Sequence, residues 1–419
     1  MSVEGRIIIA DLTREVARVG LAALDDPTVE VSADFGLPQR VAIRQEEAGL
    51  ITLAGEEEAS VRSDARTLVF NRLHKLLPRV GDAELRSRLI GALWRALCEE
   101  LEKSGLVRPE GNCVGYVIPH HLSTQPLLEE FRAVCAGASV QPVGFVHEAA
   151  ALILGFVRSP LFPKVFPTGG ERATICLVVA YDEMGVDVAC FDYSDARPPR
   201  RELVIRDFFH STCVGLKKAL EGRAWSGAVT HLISVEDEEV AGGALAALVA
   251  VLQGDDGAAA KKRFQTPGAH RLKIKGAAYV AQCCHGRGDP AAEFSISSAY
   301  NVGVQIDLKR FHPIMDGQQA SMVYDFPRRA AQTFALQGQP GGELRLNLCC
   351  GYSERMAEAI PLGVMGVATG ELARGAGRGA AVTVAVTLDA PGGGQFMLET
   401  PETGRPLGSQ SFVLPSLVF

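Results

Sequence analysis

Apolar strand-like segments and amphipathic helical segments alternate along residues 1–285 of the chain. Residues 6–10 and 114–118 are short apolar runs of the kind that form buried strands. Between them, Asp82 can cap a helix that ends at Gly105. The apolar face of this helix is a repeat of leucines at helical spacing: Leu85, Leu89, Leu93, Leu97 and Leu101. Two successive sets of strands followed by helices predict an α/β domain in two similar halves.

The pattern changes near residue 290, after which helical periodicity nearly disappears. Alternating or β-rich segments occupy residues 294–298, 330–336, 380–388 and 395–399, and glycine and proline separate them. Short strands with turn residues between them predict a compact all-β domain, most simply a sandwich. The expected order is therefore an α/β domain followed by an all-β domain.

The charge and the hydropathy of the chain argue against two kinds of partner, nucleic acids and membranes. Acidic residues outnumber basic residues 49 to 42, which gives a net charge of −7. No block of Lys and Arg is interleaved with aromatic residues, so nucleic acid is not an expected partner. The longest apolar stretches, such as residues 149–157, are far shorter than the ~20 residues that span a bilayer, so no membrane association is expected. Residues 1–12 lack the pattern of a signal peptide.

Ten cysteines are spread along the chain without a Cys-x-x-Cys pair. Most lie in apolar runs, where cysteine behaves as a small buried hydrophobic residue. This distribution favours a reducing cytoplasm over a disulfide framework. The Cys-Cys-His run at residues 283–285 is interpreted as packing rather than as a set of metal ligands. The adjacent pair His120 and His121 follows a strand end and is interpreted as a loop pair, so no metal is expected.

Six short segments occur in the order found in one chaperone family. They are residues 114–119, 147–151, 275–278, 335–339, 347–351 and 382–404. The segment His147-Glu148-Ala149-Ala150-Ala151 is similar to the family sequence Asn-Glu-Pro-Thr-Ala. The segment Ala335-Leu336-Gln337-Gly338-Gln339 is similar to the family sequence Val-Leu-Gln-Gly-Glu. Through these segments the chain resembles the 70-kDa heat-shock chaperones.

The resemblance implies an α/β actin-like (ribonuclease H-like) two-lobed domain followed by an all-β sandwich domain. The first domain is expected to cover residues 1–286, with halves at about 1–158 and 171–286. The second is expected to cover residues 291–419 and to resemble the substrate-binding domain of the family.

The turns that would contact a nucleotide differ from the family pattern. Such turns need glycine, because a Cβ atom would block the approach of a phosphate to backbone N–H groups. The first turn, Asp-Leu-Gly-Thr-Thr in the family, is here Asp11-Leu12-Thr13-Arg14-Glu15. Residues 180–185 and 234–239 stand where the family has glycine turns for phosphate and adenosine, and they lack those glycines. ATP hydrolysis is therefore not expected, and the chain resembles a pseudo-ATPase.

Two positions of the family's cofactor site keep an acid. Asp11 and Glu148 are assigned as vestigial nucleotide-binding residues. The alternative interpretation is a turn cap and an acid at a helix N-terminus, both favourable near unpaired N–H groups. Lys75 or Arg72 can stand in for the family's catalytic lysine, and the sequence leaves this choice open. The family's adenine-clamping subdomain and helical lid are also expected to be missing, because the chain has too few residues for them.

The expected function is that of a catalytically silent chaperone-like protein that binds other proteins or extended peptide segments, as a scaffold or assembly factor. No catalytic residue and no cofactor are expected. Ala331, Thr333 and Ala335 are the candidate peptide-binding residues, and they are smaller and more polar than the family's branched aliphatic residues. Two alternatives stay open: a divergent chaperone that uses ATP and Mg²⁺, and a structural subunit of a larger assembly. The expected location is cytoplasmic.

Overall fold

The computed structural model describes residues 6–23, 29–31, 35–46, 49–55, 58, 66–165, 172–180, 185–197, 200–212, 214–220, 223, 229–236, 260–263, 270–287, 294–317, 328–335, 343–368, 381–390 and 392–417. About 50% of these residues lie in β-strands and about 26% in helices. The strands form five sheets, most of them small. The protein is therefore β-rich.

The strands are β1 (Arg6–Asp11), β2 (Val16–Ala23), β3 (Val29–Val31), β4 (Leu37–Pro38), β5 (Val41–Glu46), β6 (Gly49–Ala54), β7 (Thr67–Phe70), β8 (Cys113–Ile118), β9 (Val140–Phe145), β10 (Arg172–Ala180), β11 (Val186–Arg197), β12 (Arg200–Ser211), β13 (His231–Glu236), β14 (Ala260–Arg263), β15 (Phe294–Ser298), β16 (Asn301–Gln305), β17 (Phe311–Met315), β18 (Arg328–Ala335), β19 (Glu343–Gly351), β20 (Ile360–Ala368), β21 (Ala381–Ala390), β22 (Gly393–Glu399) and β23 (Pro406–Val413). The α-helices are α1 (Leu73–Leu76), α2 (Ala83–Lys103), α3 (Gln125–Val134), α4 (Glu148–Val157), α5 (Phe162–Val165), α6 (Leu216–Leu220) and α7 (His270–Gln282). Short 3-10 turns cover Leu77–Arg79 and Met356–Glu358, and a π-helical turn covers Cys283–Arg287. Within the described residues, no helix combines the length and the apolar character needed to cross a membrane.

The predicted α/β actin-like (ribonuclease H-like) two-lobed class is wrong for this chain. Five mostly small sheets with few helices fit a β-rich fold instead. The physical reason is antiparallel pairing between residues that are distant along the chain, which local sequence patterns do not show. Strands β11 and β12 have 12 residues each and pair with each other, and β7 pairs with β5.

The first sheet has the strand order β3-β2-β1-β8-β9, and β4 pairs with β2 off this path. Strand β1 is antiparallel to β2 but parallel to β8, which is parallel to β9. The carboxyl ends of β1, β8 and β9 therefore lie at one edge of the sheet. Helix α2 packs against this sheet, and Asp82 caps it by accepting hydrogen bonds from the N–H groups of Glu84 and Leu85. This cap confirms the predicted helix start. A small sheet with the order β6-β5-β7 also packs against α2.

The second sheet has the strand order β14-β13-β10-β11-β12-β15. Its centre is an antiparallel meander of β10, β11 and β12, and parallel strands β13 and β15 flank it. Strand β15 falls within residues 291–419, yet it is hydrogen-bonded to β12. The predicted domain boundaries stay predictions.

Two antiparallel sheets of four strands follow, with the orders β17-β16-β19-β20 and β18-β21-β22-β23. Apolar side chains from both sheets belong to one core cluster, among them Val302, Leu348, Val384 and Phe396. This arrangement is consistent with the predicted β-sandwich. The same cluster continues into the second sheet and into α4 and α7.

Helices α4 and α7 cross in close contact, and two glycines set the distance between them. A Cβ atom on Gly155 would lie 1.9 Å from a carbonyl oxygen of α7, and one on Gly276 would lie 1.8 Å from the Ala151 carbonyl oxygen. Only glycine permits this approach. Glu148 shares a face of α4 with Ala151 and Gly155, and Lys273 lies one turn before Gly276. The crossing therefore brings Glu148 and Lys273 together.

Candidate functional site

A buried lysine lies at the centre of the candidate site. The ammonium group of Lys273 is 2.7 Å from Asp187 Oδ2 and donates a 3.0 Å hydrogen bond to Thr13 Oγ1. It also donates a hydrogen bond to Glu148 Oε1. The side chains of Lys273, Glu148 and Asp187 are all 0% exposed. A buried charge is stable only when opposite charges and hydrogen bonds surround it, and Lys273 has both.

The first sheet brings three groups of polar side chains to one edge. Thr13 and Arg14 follow the end of β1. His120 and His121 follow the end of β8. Glu148 begins α4 shortly after β9. These side chains meet because the three strands are parallel and their carboxyl ends share an edge.

The second sheet supplies an aspartate and a histidine that face each other across two strands. Asp187 in β11 and His210 in β12 are cross-strand partners, and His210 Nδ1 forms a hydrogen bond with Asp187 Oδ1. The other ring nitrogen of His210, Nε2, lies 3.1 Å from Glu148 Oε2. Arg14 also donates a hydrogen bond to Asp187 Oδ1, which ties the turn after β1 to the second sheet. The polar centre consists of Thr13, Arg14, Glu148, Asp187, His210 and Lys273.

Opposite charges outweigh burial in setting the pKa values of the polar centre. Burial raises the pKa of the Glu148 carboxyl, but the charges of His210 and Lys273 hold that pKa well below its usual range. Burial also raises the pKa of Asp187, but Arg14 and Lys273 lower it below its ordinary value. For His210, burial lowers the pKa, and the two carboxylates then raise it above its ordinary value. Both carboxylates are therefore charged at neutral pH.

Further histidines border the polar centre. The ring centroid of His121 is 4.4 Å from that of His120 and 4.9 Å from that of His210. The ring of His74 lies 6.1 Å from that of His120. Burial, assisted by the charge of Lys75, lowers the pKa of His74 to about 3. Burial also lowers the pKa values of His120 and His121, so these three rings are neutral at neutral pH.

His121 is buried without a hydrogen bond. Neither of its ring nitrogens has a hydrogen-bond partner among the described residues. Its Nδ1 atom lies 3.9 Å from Glu148 Oε2, which is too far for a hydrogen bond. Its ring packs against the edge of Phe208, with centroids 5.5 Å apart. An unpaired buried polar group costs about 1–3 kcal/mol, so hydrophobic packing alone does not account for a histidine here.

The two acids predicted as vestigial cofactor residues lie in different positions. Asp11 is buried and accepts hydrogen bonds of 2.9 Å from the Thr13 N–H and 2.7 Å from the Thr13 hydroxyl, so it caps its own turn. Glu148 lies inside the polar centre. The structure therefore links Asp11 to Lys273 through Thr13, whereas Glu148 contacts Lys273 directly. Residues 181–184 and 237–239 of the other two predicted turns lie outside the described residues.

The two candidates for a catalytic lysine lie near the start of α1. Arg72 forms an ion pair with Glu15, with 2.6 Å between Nε and Oε1, and both side chains are exposed. Burial and the charge of Arg72 lower the pKa of Lys75. The choice between them stays open. The lysine that the structure places between carboxylates is Lys273.

The predicted peptide-binding residues Ala331, Thr333 and Ala335 lie in β18, in a different sheet from the polar centre. All three are exposed. Among the described strands, β18 is hydrogen-bonded to β21 alone, so it is an edge strand. The Thr333 hydroxyl contacts that of Thr383 in β21, at 2.8 Å. No described strand pairs with the other edge of β18, so within the described part of the chain that edge is available for strand addition.

A small, largely apolar pocket lies beside the histidines. His74, His120 and Gln39 line one part of it, and Leu93 and Phe131 are among the apolar side chains that line the rest. His120 therefore belongs to both the pocket wall and the histidine group. Its Nδ1 atom accepts a 3.3 Å hydrogen bond from the Leu122 N–H.

Five residues of the polar centre were missed by sequence reasoning: Thr13, Arg14, Asp187, His210 and Lys273. A signal for Lys273 exists, because it shares a helical face with the buried residues Gly276, Ala277 and Val280. A lysine on an apolar face is expected to have a buried acid as its partner. Asp187 and His210 give no comparable signal, because other polar residues, among them Asp192 and Asp207, lie in the same strands.

The site is thus an ion-pair network between two sheets, with neutral histidines along one side. Two carboxylates, a lysine and an arginine neutralise each other within the chain. Its possible chemistry is ion or proton binding at the histidines rather than reaction at a free carboxylate. Neither a family model nor a curated protein sequence matches this chain.

Proposed function

We propose that this chain is a catalytically silent, chaperone-like protein that binds other proteins as a scaffold or assembly factor. The observation that carries the proposal is the position of Lys273 between the carboxylates of Glu148 and Asp187. A hydrated Mg²⁺ ion binds to carboxylates of this kind, and here the ammonium group of Lys273 already contacts both of them. The chain therefore supplies its own counter-cation at its centre.

The buried ion pairs also argue against phosphate binding at this place. A phosphate group needs free cationic or N–H donors. Lys273 already contacts two carboxylates and a hydroxyl, and Arg14 donates to Asp187. A phosphate would have to displace these partners and leave a buried carboxylate uncompensated, which costs about 3–5 kcal/mol.

The edge strand β18 supports the binding part of the proposal. Ala331, Thr333 and Ala335 point small, exposed side chains outward at alternate positions. Small side chains leave the backbone accessible to an added strand, and backbone hydrogen bonds then supply most of the affinity. A shallow surface of this kind fits an extended segment of low side-chain specificity.

The first test is a calorimetric titration of the purified protein with ATP and ADP, with and without Mg²⁺. A 70-kDa heat-shock chaperone serves as the positive control. We expect no saturable heat and no turnover at millimolar nucleotide. Micromolar binding with hydrolysis, weakened by Asp11→Ala, would overturn the proposal in favour of a divergent ATP-dependent chaperone.

The second test addresses the partner. A photo-crosslinking amino acid at position 333 is compared with one at position 308, where Leu308 is 91% exposed in the connection between β16 and β17. We expect one dominant protein to be captured from position 333 only, and the purified partner to bind with micromolar affinity. Ala331→Lys with Ala335→Lys should weaken that binding at least tenfold, because charged edge strands resist strand addition, whereas Leu308→Lys should not. Equal capture at both positions would contradict the proposed surface.

A further inference from the structure

Three histidines from two sheets converge beside the polar centre. His120 and His121 come from the end of β8, and His210 comes from β12. One ligating nitrogen from each ring can be chosen so that all three lie within 4.8 Å of one another. Nitrogen ligands of a tetrahedral ion are about 3.3–3.5 Å apart for the usual 2.0–2.1 Å bonds, so each ring needs only a small shift.

His121 gives the first independent reason to place a ligand here. Both of its ring nitrogens lack a hydrogen-bond partner among the described residues, although the ring is only 6% exposed. A leucine or phenylalanine would fill the same space without that penalty. A bound ion would satisfy one nitrogen and explain why a histidine is found at this position.

His210 gives the second reason. The Nδ1 atom of His210 forms a hydrogen bond with Asp187 Oδ1. The other ring nitrogen, Nε2, points toward Glu148 Oε2, which is 3.1 Å away. A carboxylate on one ring nitrogen and a metal on the other is the usual arrangement of a metal-binding histidine, because the carboxylate fixes the tautomer and the ring orientation. Metal binding therefore requires His210 to exchange its contact with Glu148 for the ion while it keeps Asp187.

We propose that His120, His121 and His210 bind a divalent transition-metal ion of the zinc class, with Asp187 as the positioning residue for His210. Imidazole ligands favour Zn²⁺, Cu²⁺, Ni²⁺ and Co²⁺, whereas Mg²⁺ and Ca²⁺ prefer oxygen ligands. His120 binds through Nε2, with its proton on Nδ1, and gives up the 3.3 Å hydrogen bond from Leu122. The apolar pocket that His120 lines is the route of entry.

The proposal goes beyond the scaffold function and departs from the sequence-based expectation that no metal is bound. It also differs from the Cys-Cys-His interpretation, because Cys284 is exposed at the π-helical turn and lies in a separate part of the chain. The scaffold proposal does not depend on the ion. A protein without metal affinity can still bind a partner through β18.

The deciding experiment is X-ray absorption spectroscopy of the tag-free wild-type protein, stripped of metal and loaded with one equivalent of Zn²⁺. It requires no variant, so loss of folding cannot obscure the result. We expect a nitrogen shell at about 2.0–2.1 Å with the scattering pattern of several imidazoles. A sulfur shell at about 2.3 Å, or no stoichiometric binding, would overturn the proposal.

Variants then identify the ligands by titration with Co²⁺, whose visible absorption reports the coordination number. His121→Asn should lower the affinity at least tenfold. His312→Asn is the matched control, since His312 lies in β17 and contacts Gln332, and it should bind as the wild type does. The double variant Cys283→Ser/Cys284→Ser should also keep its affinity. Loss of binding in the cysteine variant, or full binding in a folded His121→Asn protein, would contradict the assignment.

Discussion

Two buried charge clusters in this chain differ in how firmly their charges are held. In the Arg223 cluster, Arg223 donates two hydrogen bonds of 2.8 and 2.9 Å to Glu358 and another to Asp207. Its guanidinium group also lies 3.6 Å from the centre of the Phe209 ring. An arginine is always protonated, and the guanidinium group of Arg223 donates hydrogen bonds through all three of its nitrogens. This cluster therefore connects the second sheet to the C-terminal sheets through contacts that do not depend on pH.

The polar centre also contains two carboxylates, but both of them are buried and their partners are different. A lysine has no planar geometry to fix its partners, and the histidines beside it include ring nitrogens that have no hydrogen-bond partner among the described residues. The metal site that we propose requires His210 to exchange its contact with Glu148 for the ion, whereas the guanidinium group of Arg223 has only donors and no lone pair to offer a metal. The comparison teaches that buried charge by itself does not mark a functional site. Incomplete hydrogen bonding and histidine do.

The largest expected effect is that of Lys273→Met. Without the ammonium group, Glu148 and Asp187 are buried together with too little positive charge, and the free energy of unfolding should fall by about 3–5 kcal/mol. Urea unfolding followed by circular dichroism measures the change. Lys275→Met, two residues along α7 and exposed, is the matched control and should lie within about 0.5 kcal/mol of the wild type. Equal losses in both variants would show that the ion pairs contribute nothing.

A smaller loss is expected for Arg223→Met, about 2–4 kcal/mol. Asp207 loses its partner in the interior, but Glu358 is partly exposed and keeps a 2.6 Å hydrogen bond from Ser353, so it can turn to water. Arg223→Lys should recover little of the loss, because an ammonium group cannot donate to two carboxylates in the same plane. Arg405→Met, at an exposed position, is the control. Full recovery in Arg223→Lys would remove the distinction between the two clusters.

The sequence predicted local features of the fold better than its class. The helix that begins at Asp82, the strand at residues 6–10 and that at 114–118 were all predicted, because capping and apolar runs are local signals. The class was wrong because long antiparallel pairing, as between β11 and β12, depends on residues far apart in the chain. The β-rich character of the chain after residue 290 was predicted from the sequence, because glycine and proline separate its short β-rich segments.

The candidate site was predicted only in part, for a similar reason. Glu148 was identified from its motif. Its partner Lys273 lies 125 residues away in the sequence, and the two side chains meet because α4 and α7 cross closely at Gly155 and Gly276. Sequence shows that a lysine is on an apolar face but not which acid it meets. His121 was interpreted as a loop residue, because its burial and its missing hydrogen bonds exist only in three dimensions.

Gly276→Ala tests whether the helix crossing holds the polar centre in place. The added Cβ would lie 1.8 Å from the Ala151 carbonyl oxygen, so the helices must separate. The loss should be about 1–3 kcal/mol, the range for overpacking, with faster hydrogen exchange in α4 and α7. Gly91→Ala in α2 is the control. Its Cβ would meet only Val134 Cγ1, at 3.4 Å, and alanine favours helix, so it should be neutral or slightly stabilising. An unchanged free energy of unfolding in Gly276→Ala would mean that α4 and α7 can move apart without loss of stability.

The smallest expected effect is on the pH dependence of the free energy of unfolding. It distinguishes the two clusters because histidines lie beside the polar centre and not in the Arg223 cluster. Burial holds the pKa of His74 at about 3, against 6.5 when the chain is unfolded. Between these values the unfolded state binds the proton more readily, so stability is full above pH 6.5 and falls as the pH decreases. His74→Leu should therefore reduce the loss of stability between pH 7 and pH 5 by about 1–2 kcal/mol, measured without metal by urea unfolding.

Arg223→Met is the counterpart of His74→Leu in this experiment. Its cluster holds no histidine, so the variant should lower stability by a similar amount at pH 7 and at pH 5. For Arg223→Met, the difference in unfolding free energy from the wild type should therefore be constant between pH 7 and pH 5. For His74→Leu, this difference should change with pH. A His74→Leu protein with the same pH dependence as the wild type would show that His74 binds its proton equally well in the folded and unfolded states, and pH would then not distinguish the polar centre from the Arg223 cluster.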